Sequence, residues 1–431
     1  MEISNIISVE KIKPSSPTPP HLRVYNISLI DQTMAYGYTY LVLYYLGNYS
    51  NDRIQHLKES LSRTLVTFYP FAGIIRDALS ADCNDQGLPF SVAKVEARMS
   101  DFLQNPNVEL MNKFYPRAEK LLGTGDNIML IQLNCFDCGS IAMSIKFHHL
   151  IVDMVSFSTF LQHWAANAQG LGLRFHPLNL IGQSSFPQKP SLPINLLPFC
   201  YLSKYLGSGK FVLRRYVFDA SALSILKAQT SSFSVSRVNV VTAVIRQCFM
   251  EAVTEESARK DMKPIVMTQA VNLRRKAMPP FPDDSFGNLA WFTKSLWSYP
   301  KEKELTELLR EVKKEIAKID GEFVRRLGSE GVYDFLEELK NEMPQEATFL
   351  AINSWANIGL SEIDFGGGKP VWMSSYIPQS SEVEKGGNFA ILLDSKSGGI
   401  EAWTTLDEKY VAGFEKNDYI RKYARFNPSV I

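Results

Sequence analysis

Residues 140–164 constrain the fold most, because a strand pattern is followed within a few positions by a helix pattern. Residues 140–147 are largely apolar, partly β-branched and free of proline, which predicts a buried strand. Residues 154–164 carry large apolar side chains at the spacing of one helix face. Asp153 stands at the N-cap position of that helix, where a short carboxylate accepts from free backbone N–H groups. His149 is therefore predicted in the turn between strand and helix, where a side chain is rigidly held yet open to a cleft.

The pair His149 and Asp153 is weak evidence on its own, because this spacing also arises by chance between ordinary polar residues. A second pattern, DFGGG at residues 364–368, follows more than two hundred positions later. Together, and in this order, the two resemble the HxxxD and DFGWG signatures of the plant BAHD acyl-CoA-dependent acyltransferases. The resemblance covers nearly the whole chain. Other segments that resemble landmarks of this family are residues 13–19, 29–32, 68–73, 82–87, 269–274 and 286–288.

These landmarks are most similar to the alkaloid-acylating branch of the family, which vinorine synthase typifies. The sequence departs from the family pattern at Gly367, where the signature has a tryptophan. Three consecutive glycines predict a looser loop than one anchored by a large side chain.

The resemblance implies an α/β fold like that of chloramphenicol acetyltransferase, with two similar-sized mixed-sheet domains. A channel between them, open at both ends, would admit acyl-CoA from one side and the alcohol from the other, with His149 midway. The expected division is a first domain over 1–174 with HxxxD, a crossover linker over 175–209, and a second domain over 210–431 with the DFGGG loop. The length of 431 residues suits two domains of about 200 residues each.

Local patterns agree with this division. Helix patterns alternate with isolated buried strands in both halves, which predicts an α/β architecture. Residues 175–209 are rich in proline, glycine and serine, which favours a connection. Residues 408–423 predict one continuous last helix. Cys135 and Cys138 fall in a tight turn between two strands, and no second pair has metal-ligand spacing, so a turn rather than a metal site is expected.

The bulk composition restricts the possible partners. A formal net charge of +1 gives no electrostatic case for nucleic acid or an anionic membrane. Five sparsely spaced cysteines favour free thiols in a reducing compartment. The N-terminus lacks the basic and apolar regions of a secretory signal, and the apolar runs fall short of the ~20 residues of a membrane span. A monomeric cytoplasmic protein is therefore expected.

Acyl transfer from a thioester to an alcohol requires a base for the hydroxyl proton. Histidine suits this task because its ordinary pKa of about 6.5 lies near working pH, and a positioned general base contributes about 10²–10⁴-fold. The sequence has no GxSxG elbow, which argues against a serine acyl-enzyme of the α/β-hydrolase type. Direct transfer in a ternary complex is the expected mechanism.

His149 rather than His148 is the expected base. Adjacent residues at a strand end point to opposite sides, and only His149 is followed by Asp153 at the signature spacing. Asp153 is either an acid that orients His149 or a structural partner for a strand-end arginine, of which Arg274 is the best candidate. The second interpretation is preferred, and the resemblance supports it, since the family aspartate points away from the histidine to bind such an arginine.

Coenzyme A requires a local cationic site, and the sequence has no Walker-type or GxGxxG phosphate loop. One candidate is Ser236 with Arg237 at a helix start, where the helix dipole and the guanidinium act together. The other lies around Asn272 and Arg274, at a strand end followed by further basic residues. Each cluster is also typical of ordinary surface charge without a ligand.

The resemblance also assigns the loop of Asp364 and Gly366 to the CoA side of the channel. Arg425 is either a surface residue or, where it faces the channel, a group that binds the carboxylate of malonyl-CoA.

The expected function is acyl-CoA-dependent O-acyl transfer, of an acetyl group or alternatively a malonyl group, to a hydroxyl of a plant specialised metabolite. The resemblance indicates a monoterpene indole or related alkaloid as acceptor, with a phenolic or terpenoid alcohol as the alternative. Acyl-CoA is a co-substrate, and neither a permanently bound cofactor nor a metal is expected. The competing class is a non-catalytic small-molecule-binding protein on the same scaffold, because the signature tryptophan is missing.

Overall fold

The computed structural model describes residues 2–34, 37–116, 123–171, 176–229, 234–257, 263–297, 304–375 and 385–431. The expected boundary between the first domain and the crossover, at residues 174 and 175, lies outside these ranges. Within them, every helix is too short or too polar to cross a lipid bilayer.

The strands of the described residues are β1 Glu2–Ile12, β2 Val24–Asn26, β3 Tyr38–Tyr45, β4 Ile74–Ile75, β5 Ser80–Asp82, β6 Leu88–Glu96, β7 Met129–Phe136, β8 Ile141–His148, β9 Phe211–Phe218, β10 Ile265–Asn272, β11 Ala290–Trp297, β12 Thr348–Ser354, β13 Trp372–Ser374, β14 Asn388–Asp394, β15 Ile400–Asp407 and β16 Arg425–Phe426. The α-helices are α1 Leu29–Gln32, α2 Asn51–Thr67, α3 Met99–Gln104, α4 Met154–Ala168, α5 Ile181–Ser185, α6 Pro198–Leu202, α7 Ala220–Ala228, α8 Arg237–Ser257, α9 Leu305–Ala317, α10 Gly321–Leu327, α11 Val332–Asn341, α12 Glu408–Lys416 and α13 Asp418–Tyr423.

The first lobe is built on a sheet in the order β1-β6-β7-β8-β3-β13, in which only β6 and β7 run parallel. Helices α2 and α4 cover one face of this sheet, and their apolar sides join its core. The predicted hairpin between β7 and β8 is confirmed. Gly139, at φ +82°, donates from its N–H to the Phe136 carbonyl, as a tight turn requires.

The second lobe is built on a sheet in the order β11-β10-β12-β14-β15-β9-β16, with parallel pairs β10–β12 and β12–β14. Helices α8, α9 and α12 form a separate core on one face of it. Two mixed sheets with helical layers confirm the expected α/β class with two sheet-rich lobes.

One strand crosses the expected division of the chain. β13 follows the DFGGG loop in the second half, yet it pairs antiparallel with β3 at the edge of the first sheet. The expectation that 210–431 forms the second domain alone is wrong for residues 372–374, because a three-residue strand pattern does not indicate which sheet it will join.

A buried cluster, the interlobe cluster, consists of Arg215, Glu401, Trp372 and Trp403. Arg215 on β9 makes a bidentate pair with Glu401 on β15, with both N–O distances at 2.8 Å. The Nε1 of Trp372, on β13, donates to the same carboxylate, and the Arg215 guanidinium lies 4.9 Å from the Trp372 ring centre. The two sheets are therefore joined by charge-assisted hydrogen bonds and a cation–π contact.

The last helical segment is not continuous, so the prediction of one helix over 408–423 is wrong. It breaks at Asn417, whose φ of −57° and ψ of 135° are extended rather than helical. The Asn417 side chain accepts from the Tyr419 N–H and thereby begins α13.

Candidate active site

The turn between β8 and α4 presents His149 as predicted. The His149 N–H donates to the Gly37 carbonyl at 2.8 Å, and the His149 carbonyl accepts from Asn288 Nδ2 at 2.8 Å. The peptide groups on both sides of the histidine are thus fixed, while its side chain stays partly exposed. A partly open imidazole on a rigid backbone is the arrangement that proton transfer from a bound hydroxyl requires.

His148, the adjacent residue, has entirely different surroundings. Its side chain is fully buried, lies edge-on to Tyr38 at 5.5 Å, and its Nδ1 accepts from the Leu150 N–H. Burial, reinforced by the neighbouring His149 charge, lowers the pKa of His148 to about 4. His148 is therefore a neutral core residue at physiological pH.

Asp153 caps α4 and pairs with Arg274, as expected for a structural role. One carboxylate oxygen accepts from the Ser156 N–H at 2.8 Å and from Arg274 Nη2 at 3.1 Å. The other accepts from Arg274 Nη1 at 2.8 Å and from the Leu289 N–H at 3.0 Å. Both oxygens are fully used, so the carboxylate has no lone pair directed at His149 in this arrangement.

The electrostatics of this pair follow from its burial. Desolvation alone would raise the pKa of Asp153, but the Arg274 charge and the four hydrogen bonds hold it below its ordinary value. Arg274 is fully buried and also donates to the Ser156 hydroxyl and the Ser285 carbonyl. The pair therefore binds the start of α4 to the chain segment after β10.

Sequence reasoning noted Asp31 and Asn288 as family landmarks but missed their position beside the active turn. One Asp31 oxygen accepts from both the backbone N–H and the Nδ2 of Asn288, each at 2.8 Å. The other oxygen accepts from the Ser28 N–H, and the Ser28 hydroxyl accepts from the Asp31 N–H, which is a capping box at α1. The S-x-x-D spacing at residues 28–31 was the signal available in the sequence. Asp31 is 1% exposed, and burial raises its pKa to about 6.

The expected CoA-binding residues occupy four places: the end of β10, the start of α8, the DFGGG loop and β16. Asn272 is exposed at the end of β10, and its Oδ1 accepts from the Arg274 N–H, so these two residues lie beside the active turn. Ser236 caps α8, and the guanidinium of Arg237 is already engaged by the Asp394 carboxylate at 2.9 Å and by the Asn357 side chain at 2.6 Å. Arg237 therefore ties α8 to neighbouring loops.

The DFGGG loop docks on the first lobe. Asp364 Oδ1 accepts from the N–H groups of Gly366, Gly367 and Gly368 at 2.7, 3.0 and 2.9 Å. Phe365 packs edge-on against Trp164 of α4 at 4.7 Å. The expected looseness of three glycines is thus opposed by one carboxylate that holds all three N–H groups.

The space beside Gly367 is already occupied. The guanidinium of Arg53, on α2, lies 4.4 Å from the ring centre of Tyr49. A Cβ added at Gly367 would overlap the tip of Arg53 and would lie 3.0 Å from the Tyr49 hydroxyl. An arginine stacked on a tyrosine therefore fills the position next to the residue that departs from the signature.

Arg425 lies on β16, the outermost strand of the second sheet. Its side chain is exposed and is 4.0 Å from the Asp219 carboxylate. Cys135 and Cys138 are free thiols. Cys138 lies in the hairpin turn, where its sulfur accepts from the Met99 N–H, whereas Cys135, also expected in the turn, lies in β7 and pairs with Ile141.

Two mixed-sheet lobes, with a partly open histidine at a strand end before a capped helix, define an acyltransferase of the chloramphenicol acetyltransferase type. A model of the Transferase family matches residues 4–420, and the chain belongs to this family, the BAHD acyltransferases.

Known proteins are similar to this chain over nearly its full length. Epi-neemfruitin B 7-O-acetyltransferase of Melia azedarach is 36% identical, over 98% of this chain and 99% of the relative. Stemmadenine O-acetyltransferase of Catharanthus roseus is 33% identical over 94% of each chain. The crystal structure of vinorine synthase superposes with a TM-score of 0.78 and 29% identity, over 95% of this chain and 96% of that one. The chain is therefore an acyltransferase, similar over nearly its whole length to plant O-acetyltransferases.

Proposed function

We propose that the protein transfers an acetyl group from acetyl-CoA to a hydroxyl of a polycyclic plant alcohol, with His149 as general base. The observation that carries this proposal is the contrast between two residues of the HxxxD motif. His149 is partly exposed on a backbone fixed at both peptide groups. In contrast, the Asp153 carboxylate accepts hydrogen bonds from Arg274 and from two backbone N–H groups.

The proposed reaction needs no acyl-enzyme. His149 takes the proton of the acceptor hydroxyl as its oxygen bonds to the thioester carbonyl carbon. The tetrahedral intermediate then expels the CoA thiolate, which receives the proton from the imidazolium, so the enzyme returns to its starting state. Asp153 acts on this sequence only by fixing the turn through Arg274.

The proposed acceptor is an alkaloid, as the alkaloid-acylating branch suggests, and stemmadenine O-acetyltransferase supports it by name. A terpenoid alcohol is the second candidate, because a Citrus sinensis relative that is 34% identical is named limonoid 7-O-acetyltransferase. Acetyl-CoA is favoured over malonyl-CoA, since Arg425 is exposed beside Asp219 on an edge strand.

The test is a panel of acetyl- and malonyl-CoA against alkaloid and limonoid alcohols, followed by CoA release and by mass of the product. His149→Ala is expected to remain folded and to lose at least about 10²-fold in kcat, as the removal of a general base implies. His148→Ala, its matched control, is expected to lose stability through the cavity it leaves but to retain most activity. The reverse pattern in the two variants would assign the base to His148.

A further inference from the structure

The landmark around Asp31 has no part in the proposed acyl transfer, although its carboxylate is among the most buried charges in the described residues. It accepts three N–H groups, from Ser28 and twice from Asn288, and is 1% exposed. A buried carboxylate whose hydrogen-bond donors are all neutral is costly in free energy, which makes its retention here worth explaining.

Asn288 connects this carboxylate to the active turn. Its Nδ2 carries two hydrogens, one donated to Asp31 Oδ1 and the other to the His149 carbonyl, each at 2.8 Å. The His149 N–H is held by Gly37, a few residues beyond Asp31 in the chain. The His149 peptide is thus held at its N–H by Gly37 and at its carbonyl by Asn288, whose side chain is in turn held by Asp31.

The other side of residues 287–289 is held by α4. The Gly287 carbonyl accepts from the Ser156 hydroxyl at 2.8 Å, and the Leu289 N–H donates to Asp153. Asn288 therefore lies between two buried carboxylates. Arg274 is the counter-ion of Asp153, whereas Asp31 has no counter-ion among the residues that the structure describes.

We infer that Asp31 is a positioning residue for the acyl transfer: through Asn288 its ionised carboxylate fixes the backbone of His149 and hence the direction of the base. This inference rests on the proposed role of His149. A group displaced by about 1 Å from its productive geometry can lose on the order of 10²-fold in rate.

The ionised form is required because all three hydrogen-bond partners of the Asp31 carboxylate are N–H donors, one from Ser28 and two from Asn288. A protonated carboxyl would point an O–H at groups that are themselves donors, and the contact to Asn288 would loosen. The titratable and charged groups around Asp31 in the described residues are Tyr25 on β2, His149 in the turn, and the Asp153–Arg274 pair beyond residues 287–289. Burial raises the pKa of Tyr25 far above physiological pH, so Tyr25 stays neutral, and burial raises the pKa of Asp31 to about 6.

The test compares kcat of the wild type and of Asp31→Asn at pH 8 and at pH 5. The amide is always neutral, as wild-type Asp31 is in acid. We expect a deficit of about tenfold or more at pH 8 that shrinks to about twofold at pH 5. A merely structural role would leave the ratio constant, and a constant ratio between these pH values overturns the inference.

Asn288→Ser is a second test of the positioning role. It leaves the capping box at α1 intact and therefore decides the test if Asp31→Asn does not fold. It removes the Nδ2 donors, so we expect a similar deficit at pH 8 and the same decline of the deficit in acid. The kcat of the double variant should be no lower than that of either single variant, because both substitutions break the same connection from Asp31 through Asn288 to His149. Additive losses would contradict the coupling.

Asp320→Asn is the matched control, since Asp320 also caps a helix, accepting from the Phe323 N–H, but is exposed and belongs to α10. Its kcat is expected to equal that of the wild type at both pH values. Should His149→Ala keep its activity, the proposed function fails. Should His149→Ala be inactive while Asp31→Asn and Asn288→Ser show wild-type kcat, only the positioning role fails.

Discussion

His148 and His149 are adjacent in the chain, yet one is a neutral core side chain and the other faces the site. His148 is the last residue of β8 and is buried against Tyr38, whereas His149 begins the turn and is partly exposed, as opposite directions at a strand end predict. The capping function of Asp153 also follows from local spacing. Its pairing with Arg274, 121 residues away, does not follow from local spacing. That pair was expected because Arg274 stands at a strand end, with support from the family resemblance, and the structure contains it.

Gly367 shows a different kind of residue-level effect, in which a neighbour takes the space of a missing side chain. Gly366 and Gly368 have φ values of +86° and +102°, where other residues are strained, so they are held to glycine by the backbone. Gly367 has no such restriction, and what excludes a side chain there is the Arg53 guanidinium on Tyr49.

Gly367→Trp is therefore expected to lower the melting temperature, because the indole must displace Arg53 and end its contact with Tyr49. Overpacking of this kind typically costs about 1–3 kcal/mol. In an Arg53→Ala background the space is free, and the same substitution should be more favourable by at least about 0.5–1 kcal/mol, the size of an exposed cation–π contact. Thermal unfolding of both single variants and the double variant measures this coupling. Strict additivity would show that Arg53 does not occupy the site of the indole.

The start of α4 is the element that depends most on a single distant contact. Asp153 caps it, Ser156 lies in its first turn, and both are hydrogen-bonded to Arg274. Loss of the charge at Asp153 leaves a fully buried guanidinium without its counter-ion, which typically costs about 3–5 kcal/mol.

Asp153→Asn is expected to lower both the melting temperature and the turnover, and Arg274→Met should resemble it. The pKa of Asp153 lies below its unfolded value, so the pair stabilises the fold fully above about pH 4 and is lost as pH falls through the still lower folded value. The stability difference from the wild type should therefore be constant between pH 5 and 8 and decrease only in stronger acid. Wild-type melting together with collapsed turnover would give Asp153 a direct catalytic role instead.

Elements with long periodic patterns were predictable from the sequence, and interrupted ones were not. Helices α2, α4 and α8 each show several turns of regular apolar spacing, and each is present. Helices α10 and α11 are short and have glycines before and between them, so no continuous period marks them. The break at Asn417 was not predicted because an asparagine between two amphipathic segments does not interrupt the helical pattern. The hydrogen bond by which it caps α13 is seen only in the structure.

At the scale of the whole molecule, the interlobe cluster determines how the two sheets are held together. Arg215 and Glu401 are both nearly inaccessible, at 2% and 5% side-chain exposure. The Trp372 contacts extend this pair from the second sheet to the first. Replacement of one charge is thus expected to weaken the contact between the two lobes and not the packing of either lobe alone.

Glu401→Gln is expected to destabilise the protein by about 3–5 kcal/mol, because Arg215 would remain buried without its counter-ion. The unfolding transition should stay single and shift as a whole, since both sheets share the cluster. Glu408→Gln is the matched control: Glu408 pairs with Lys210 at 57% and 70% side-chain exposure, and such pairs contribute less than about 1 kcal/mol. Calorimetry that shows equal shifts for the two variants, or two separate transitions in Glu401→Gln, would contradict a shared joint.

The pairing of β13 with β3 also has a consequence for the protein during its synthesis. β3 and β8 leave the ribosome early, but the strand that covers the open edge of β3 is made more than two hundred residues later. At a translation rate of about 5–20 residues per second, the edge of β3 stays unpaired for roughly 10 to 45 seconds between the synthesis of β8 and that of β13. An unpaired apolar edge is a template for wrong strand pairing, so the nascent first lobe should be a client of ribosome-associated chaperones until Trp372–Ser374 emerges and closes the sheet.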